Sequence, residues 1–245
     1  MKALLFTVYS LLFSLLTIHA QSYEHMYKKQ PSNDSVTNSK AYNNYQNQKA
    51  YVDSADTSKI IGFAIMPLYK KQPESPLGNL MADCMKVYAE KIYSKSVDAA
   101  FVNFSGMRAY IPKGDITIGT VYKVMPYDNK IVLLSIQGNV FKQFLDHQAS
   151  FGGWPCAGIS MAIKDKQAAN ILISNQPLDE AKTYTIAVAD YIAKGGNQCT
   201  MLKGLPQSDK NYLFRTALID YITAFTKAGK PVTAAIENRI VYINE

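Results

Sequence analysis

Leu77, Leu80, Met81, Cys84, Met85, Tyr88 and Ile92 recur at three- and four-residue intervals, the spacing of one buried helical stripe. Ser75 and Pro76 stand just before it. Serine suits a helix cap, and the proline ring suits the first helical position. Short apolar runs predict strands at Ala99 to Val102, Ile131 to Ile136, Ile159 to Ile163, Ile171 to Ile173, Tyr184 to Ala189 and Ile240 to Ile243. A helix-like run begins at Gly119, and another helix carries Val140, Phe141, Phe144 and Leu145. Leu213, Phe214, Ala217, Leu218, Tyr221, Ile222 and Phe225 mark a second strong amphipathic helix, stopped near Gly229 and Pro231. Helices and strands mix without a strict βαβ alternation. The pattern predicts an α/β domain of the α+β type, with a mixed sheet and flanking helices.

The pattern changes before residue 57. Lys2 followed by the apolar run Ala3 to Ile18, with small Ala20 before Gln21, reads as a secretory signal over residues 1–20. The run is shorter than the roughly 20 residues of a membrane span, and polar residues interrupt it, so no transmembrane anchor is expected. Cleavage near Ala20 would leave an exported protein, periplasmic or extracellular. Residues 21–56 are rich in Gln, Asn, Ser, Tyr and Lys and poor in branched aliphatics, the composition of a flexible leader. Residues 57–245 form the expected domain.

Charge narrows the functional classes. The net charge is +7, but the basic residues are dispersed, with Lys28-Lys29 and Lys70-Lys71 as the adjacent pairs. No dense basic run points to a specific nucleic-acid partner. Cys84 falls on the helical stripe and reads as a buried thiol; a Cys156–Cys199 pairing stays open. Metal-binding Cys/His spacing is absent. His25 lies in the polar leader, and His147 ends a helix where a positive charge suits the dipole.

Three segments carry candidate chemistry. Asn103-Phe104-Ser105-Gly106-Met107-Arg108 follows an apolar strand, and strand ends are where such sheets place ligands. The Ser-Gly pair permits close backbone approach, and Arg108 offers a donor fork matched to phosphate. From the residues alone, a turn with a solvated Arg fits equally well. Pro126-Tyr127-Asp128-Asn129 offers a flat ring that could stack on a base or fill a turn. Asp190-Tyr191-Ile192-Ala193-Lys194-Gly195-Gly196-Asn197 offers a second ring before a glycine pair.

Together with Glu74-Ser75-Pro76-Leu77-Gly78-Asn79-Leu80, these motifs resemble the C-terminal, substrate-recognising domain of the 5'-nucleotidase family. The resemblance covers residues 60 to 205 well and the last helix loosely. It implies that Tyr127 and Tyr191 clamp a nucleobase, that Asn103, Gly106, Arg108 and Asn129 contact the nucleotide, and that Gly195, Gly196 and Asn197 form the ribose-binding segment. Lys71 falls where relatives carry a phosphate-contacting Arg. The Glu74 segment reads as structural. The sequence departs from the family pattern where Ser105 replaces a Gly and Asn197 an Asp. Gln198 and Cys199 follow where a Gly and an aromatic are usual. In that family an N-terminal metallophosphatase domain holds two metal ions and performs the hydrolysis. This sequence has no Asp-x-His or Asn-His-(Glu/Asp) segment. The expectation is therefore a hydrolase-family chain of nucleotide catabolism that is inactive alone and needs no cofactor itself. Its partners would be a nucleotide or nucleoside and a separate metallophosphatase subunit bearing the divalent metals. The alternatives are a stand-alone periplasmic nucleoside or nucleotide receptor without an enzymatic partner, a changed ligand, and weak charge-driven nucleic-acid binding.

Overall fold

The computed structural model describes residues 56–243. The expected signal, His25 and all of the leader but Asp56 lie outside the described residues. Strands and helices run in the order β1 (Ile60–Ala64), α1 (Pro76–Tyr93), β2 (Ala99–Phe101), β3 (Gly114–Thr117), α2 (Ile118–Val124), β4 (Lys130–Gln137), α3 (Gly138–Ser150) and β5 (Cys156–Ala157). They continue with β6 (Ile159–Lys164), β7 (Gln167–Ile173), β8 (Gln176–Pro177), β9 (Thr183–Ala189), α4 (Asp190–Ala193), β10 (Gln207–Leu213), α5 (Phe214–Lys227) and β11 (Ile240–Tyr242).

The central sheet has the order β10-β4-β9-β2-β5. Only β2 and β9 pair in parallel; its other pairs are antiparallel, so the sheet is mixed. Strand alternation feeds two separate cores. Ala100, Ile131, Leu133 and Ala187 join the core made with α1 and α5. Ala99, Phe101, Val132, Leu134, Ile136, Ile186 and Val188 join the core made with α3, β6 and β7. A four-stranded sheet, β11-β6-β7-β8, lies in that second layer, and β1 pairs with β3 in a two-stranded sheet.

The local signals in the sequence act as their chemistry dictates. Ser75 caps α1 by accepting from Gly78 N at 3.2 Å, with Pro76 at the first helical position. Thr117 and Thr120 close a capping box at the start of α2. Glu74 is structural: its Oε1 accepts from Asn79 Nδ2 at 2.6 Å and from Glu237 N at 2.7 Å. Cys84, Cys156 and Cys199 are free and buried, so Cys156 and Cys199 are not paired. Burial pushes the thiols of Cys156 and Cys199 up to about 12 and that of Cys84 well above its ordinary value.

Candidate functional site at one end of the central sheet

β2 and β9 run in parallel and are adjacent, and β4 runs antiparallel to β9. The segments leaving β2 and β9 therefore emerge at the same sheet end as the segment entering β4. These are the three motif segments. Asn103, Ser105, Gly106, Arg108, Tyr127, Asn129, Tyr191 and Asn197 line one cavity of about 290 Å³ there. That is close to the lower limit of roughly 300–1,000 Å³ for small-molecule sites. Larger hollows of about 570 Å³ beside β10 and about 530 Å³ beside Arg239 have none of these residues in their walls.

After β2, Phe104–Gly106 forms a single 3-10 turn. Asn103 is buried, and its Nδ2 donates to Ser105 Oγ at 3.3 Å. A Cβ on Gly106 would stand 2.9 Å from the Asn103 amide, so glycine is what lets the turn fold against it. Arg108 N donates to Val124 O at 2.8 Å, which ties this segment to the end of α2. The Arg108 side chain is exposed and makes no ion pair among the described residues. Lys70 lies behind it. Its Nζ donates to Met107 O at 2.7 Å and sits 4.6 Å from the centre of the Phe104 ring. Burial and the nearby Arg108 charge both lower the Lys70 pKa.

Tyr127 stands in the turn between α2 and β4 and is 42% exposed. That turn is fastened from beneath by Arg215, the second residue of α5, which is only 4% exposed. Arg215 donates to Met125 O at 3.3 Å and to Tyr127 O at 3.4 Å, and it pairs with Asp128. Its guanidinium also stacks 4.1 Å from the centre of the Tyr122 ring. Phe214 N donates to Asn129 O at 2.9 Å, a second tie between the turn and the start of α5.

Tyr191, in the one-turn helix α4, is 48% exposed. Asp190 beside it accepts from Lys130 N at 3.0 Å and from Lys194 Nζ at 2.8 Å. The loop then turns through Gly195 at φ +88° and Asn197 at φ 51°. A Cβ on Gly196 would meet the Tyr191 ring at 2.5 Å. The glycine pair thus shapes the loop, although neither glycine lines the cavity. Asn197 is held at three points. Its N donates to Tyr191 Oη at 3.2 Å, its Nδ2 donates to Ser105 Oγ at 2.9 Å, and its carbonyl oxygen lies 2.8 Å from His147 Nε2.

Lys71 is exposed and is not among the cavity residues. Backbone pairing of Leu68 with Ile111 fixes the phase of this segment, and it is Lys70 that reaches toward the Arg108 turn. Lys70, His147 and Arg215 support the site without having been singled out for it in the sequence, and Ser105, noted there only beside Gly106 and as a replacement for glycine, lines the cavity. The Lys70-Lys71 pair was a visible signal. The roles of His147 and Arg215 depend on contacts 50 and about 90 residues away. Among the described residues no group of three His, Cys, Asp or Glu side chains is placed to hold a metal ion.

Comparison with known proteins matches the chain to a family. The sequence model of the 5'-nucleotidase, C-terminal domain matches residues 54–204. Protein UshA of Salmonella pullorum is 29% identical over 157 residues, which cover 61% of this chain and 28% of UshA. Endonuclease YhcR of Bacillus subtilis is 27% identical over 200 residues, covering 75% of this chain and 15% of YhcR. A 5'-nucleotidase precursor from Thermus thermophilus shares the fold at a TM-score of 0.70 and 27% identity, covering 82% of this chain and 43% of that one. The chain thus spans less than half the length of each of these relatives. With a family match over residues 54–204 and the same mixed α/β fold, this chain belongs to the 5'-nucleotidase family through that family's C-terminal domain.

Proposed function

We propose that this chain is an exported nucleotide-recognition domain. In this reading the base lies between Tyr127 and Tyr191, and Arg108, backed by Lys70, receives the phosphate. Asn103 and Asn129 present amide groups to the ligand, and the loop at Gly195, Gly196 and Asn197 meets the sugar. The phosphate then faces a metallophosphatase unit carried by another chain, which supplies the divalent metals and the hydrolysis.

One observation carries the proposal. Two half-exposed tyrosines, an arginine with no ion pair among the described residues and three carboxamides, drawn from three distant segments, converge on one small cavity. Flat rings bind bases by stacking, at roughly 1–3 kcal/mol per base, and an arginine fork matches phosphate oxygens. Holding a phosphate in place against a separate metal centre is itself a large part of catalysis. The apolar N-terminal run supports export, and among the described residues no helix is long and apolar enough to cross a membrane.

The test is titration of AMP and adenosine into the wild-type chain and two variants. The Tyr127→Ala, Tyr191→Ala double variant should lose both ligands, by about 100-fold or more if each ring contributes as stacking rings do. Arg108→Ala should weaken AMP about tenfold and leave adenosine nearly unchanged. Undiminished binding by the double variant would rule out the clamp.

A further inference from the structure

The segment 60–69, which includes β1, is bare along its outer side. Its inner side chains, Ile61, Ala64 and Leu68, are buried in the core made with α1 and α5. Its outer ones, Ile60, Phe63, Ile65, Met66 and Tyr69, are 47% to 58% exposed. Tyr110 is also half-exposed, and the centre of its ring lies 5.0 Å from that of Tyr69. Backbone pairing of Leu68 with Ile111 brings these two segments together. Six large apolar or aromatic side chains at half exposure leave on the order of 600 Å² uncovered. That reaches the top of the roughly 300–600 Å² range for the largest apolar patch on an ordinary monomer. It is also most of the roughly 800 Å² that each partner contributes to a stable interface.

The patch adjoins the cavity on the side of Arg108. Tyr110 is two residues beyond that arginine, which lines the cavity. Tyr69 directly precedes Lys70, whose Nζ donates to Met107 O at 2.7 Å. A body covering Tyr69 and Tyr110 therefore stands beside the anion that Arg108 receives. Charge narrows what that body is. Segments 59–71 and 108–115 carry Lys59, Lys70, Lys71, Arg108 and Lys113 against one acid, Asp115. A second copy of this chain would set like charges face to face, whereas a partner with an acidic rim would be drawn in.

We infer, resting on the recognition reading above, that this patch is the face on which the metal-bearing unit docks. The fitting partner surface is apolar at its centre and acidic at its edge, and docking sets the phosphate on Arg108 at the seam between the two chains. The experiment replaces Phe63 by a photoreactive benzoylphenylalanine in the full chain, in the cell that makes the protein. A control carries the same probe at Tyr242, equally exposed but in the layer of the other core. After irradiation the adducts are purified and identified by mass spectrometry. The probe at position 63 should join a chain bearing the Asp-x-His and Asn-His-(Glu/Asp) segments, and the probe at position 242 should not. A Phe63→Glu, Met66→Glu variant should recover that chain at least about tenfold less well. Its own titration with AMP should match wild type, because neither residue lines the cavity. Adducts at position 63 to a second copy or to lipid would overturn the inference, as would undiminished recovery by the glutamate variant. Weakened AMP binding in that variant would show that the patch serves the cavity instead. If the wild-type chain brings down no metallophosphatase at all, the two-chain reading itself fails, which a misplaced face would not cause.

Discussion

Asp190 illustrates how much a single side chain near the site has to do. Its carboxylate joins the start of β4 to the loop that carries Tyr191, through Lys130 N and Lys194 Nζ. Burial pushes its pKa up, but the hydrogen bonds from Lys194 and Lys130 outweigh burial and hold it below the usual carboxylate range. A folded value below the unfolded one, about 3.9, stabilises the fold fully above that value. That stabilisation disappears as pH falls through the lower, folded value. Urea unfolding at a series of pH values should therefore find Asp190→Asn less stable than wild type near neutrality, by about 1 kcal/mol. The difference should shrink on acidification below about pH 4. A difference that stays constant with pH would contradict this account. At this scale the sequence was informative wherever a residue acts through its own type. Arg108, Tyr127 and Tyr191 were named through the motif resemblance, since neighbouring residues alone fit a plain turn equally well. Lys70 could not be chosen over Lys71, because strand phase decides which of two adjacent lysines turns inward.

At the scale of elements, amphipathic helices and fully apolar strands were legible because burial imposes a period. Helices α1, α3 and α5 and strands β4, β6 and β9 lie where the apolar spacing predicts them. Strand β10, Gln207–Leu213, was not legible. It is an edge strand paired to β4 alone, five of its seven residues are exposed, and so burial left no alternation to read. The turn holding Tyr127 depends likewise on a distant element, since α5 supplies Arg215 from beneath it. Arg215→Met should remove the hydrogen bonds to Met125 O and Tyr127 O and the pair with Asp128. The expected loss of stability is about 1–3 kcal/mol, or several degrees in a thermal melt. AMP affinity should fall several-fold even though Arg215 does not line the cavity. Unchanged affinity in a destabilised variant would show that the turn keeps its shape without the arginine.

At the scale of the whole molecule, the central sheet separates two cores and collects three chain segments at one end. This arrangement explains why the site is scattered in sequence between residues 103 and 197 yet compact in space. It also explains why the family was recognisable while the chemistry was harder to read. Motif order survives in the sequence, whereas the Ser105–Asn197 contact appears only when β2 and β9 are placed side by side. The proposed division of labour, with recognition here and metal chemistry on another chain, makes ligand binding without metal its central claim. Calorimetric titration of the purified chain with AMP and adenosine, without added metal, tests it most directly. The account predicts saturable binding at one site, with AMP bound more tightly than adenosine. Absence of binding to either ligand by a demonstrably folded chain would contradict it.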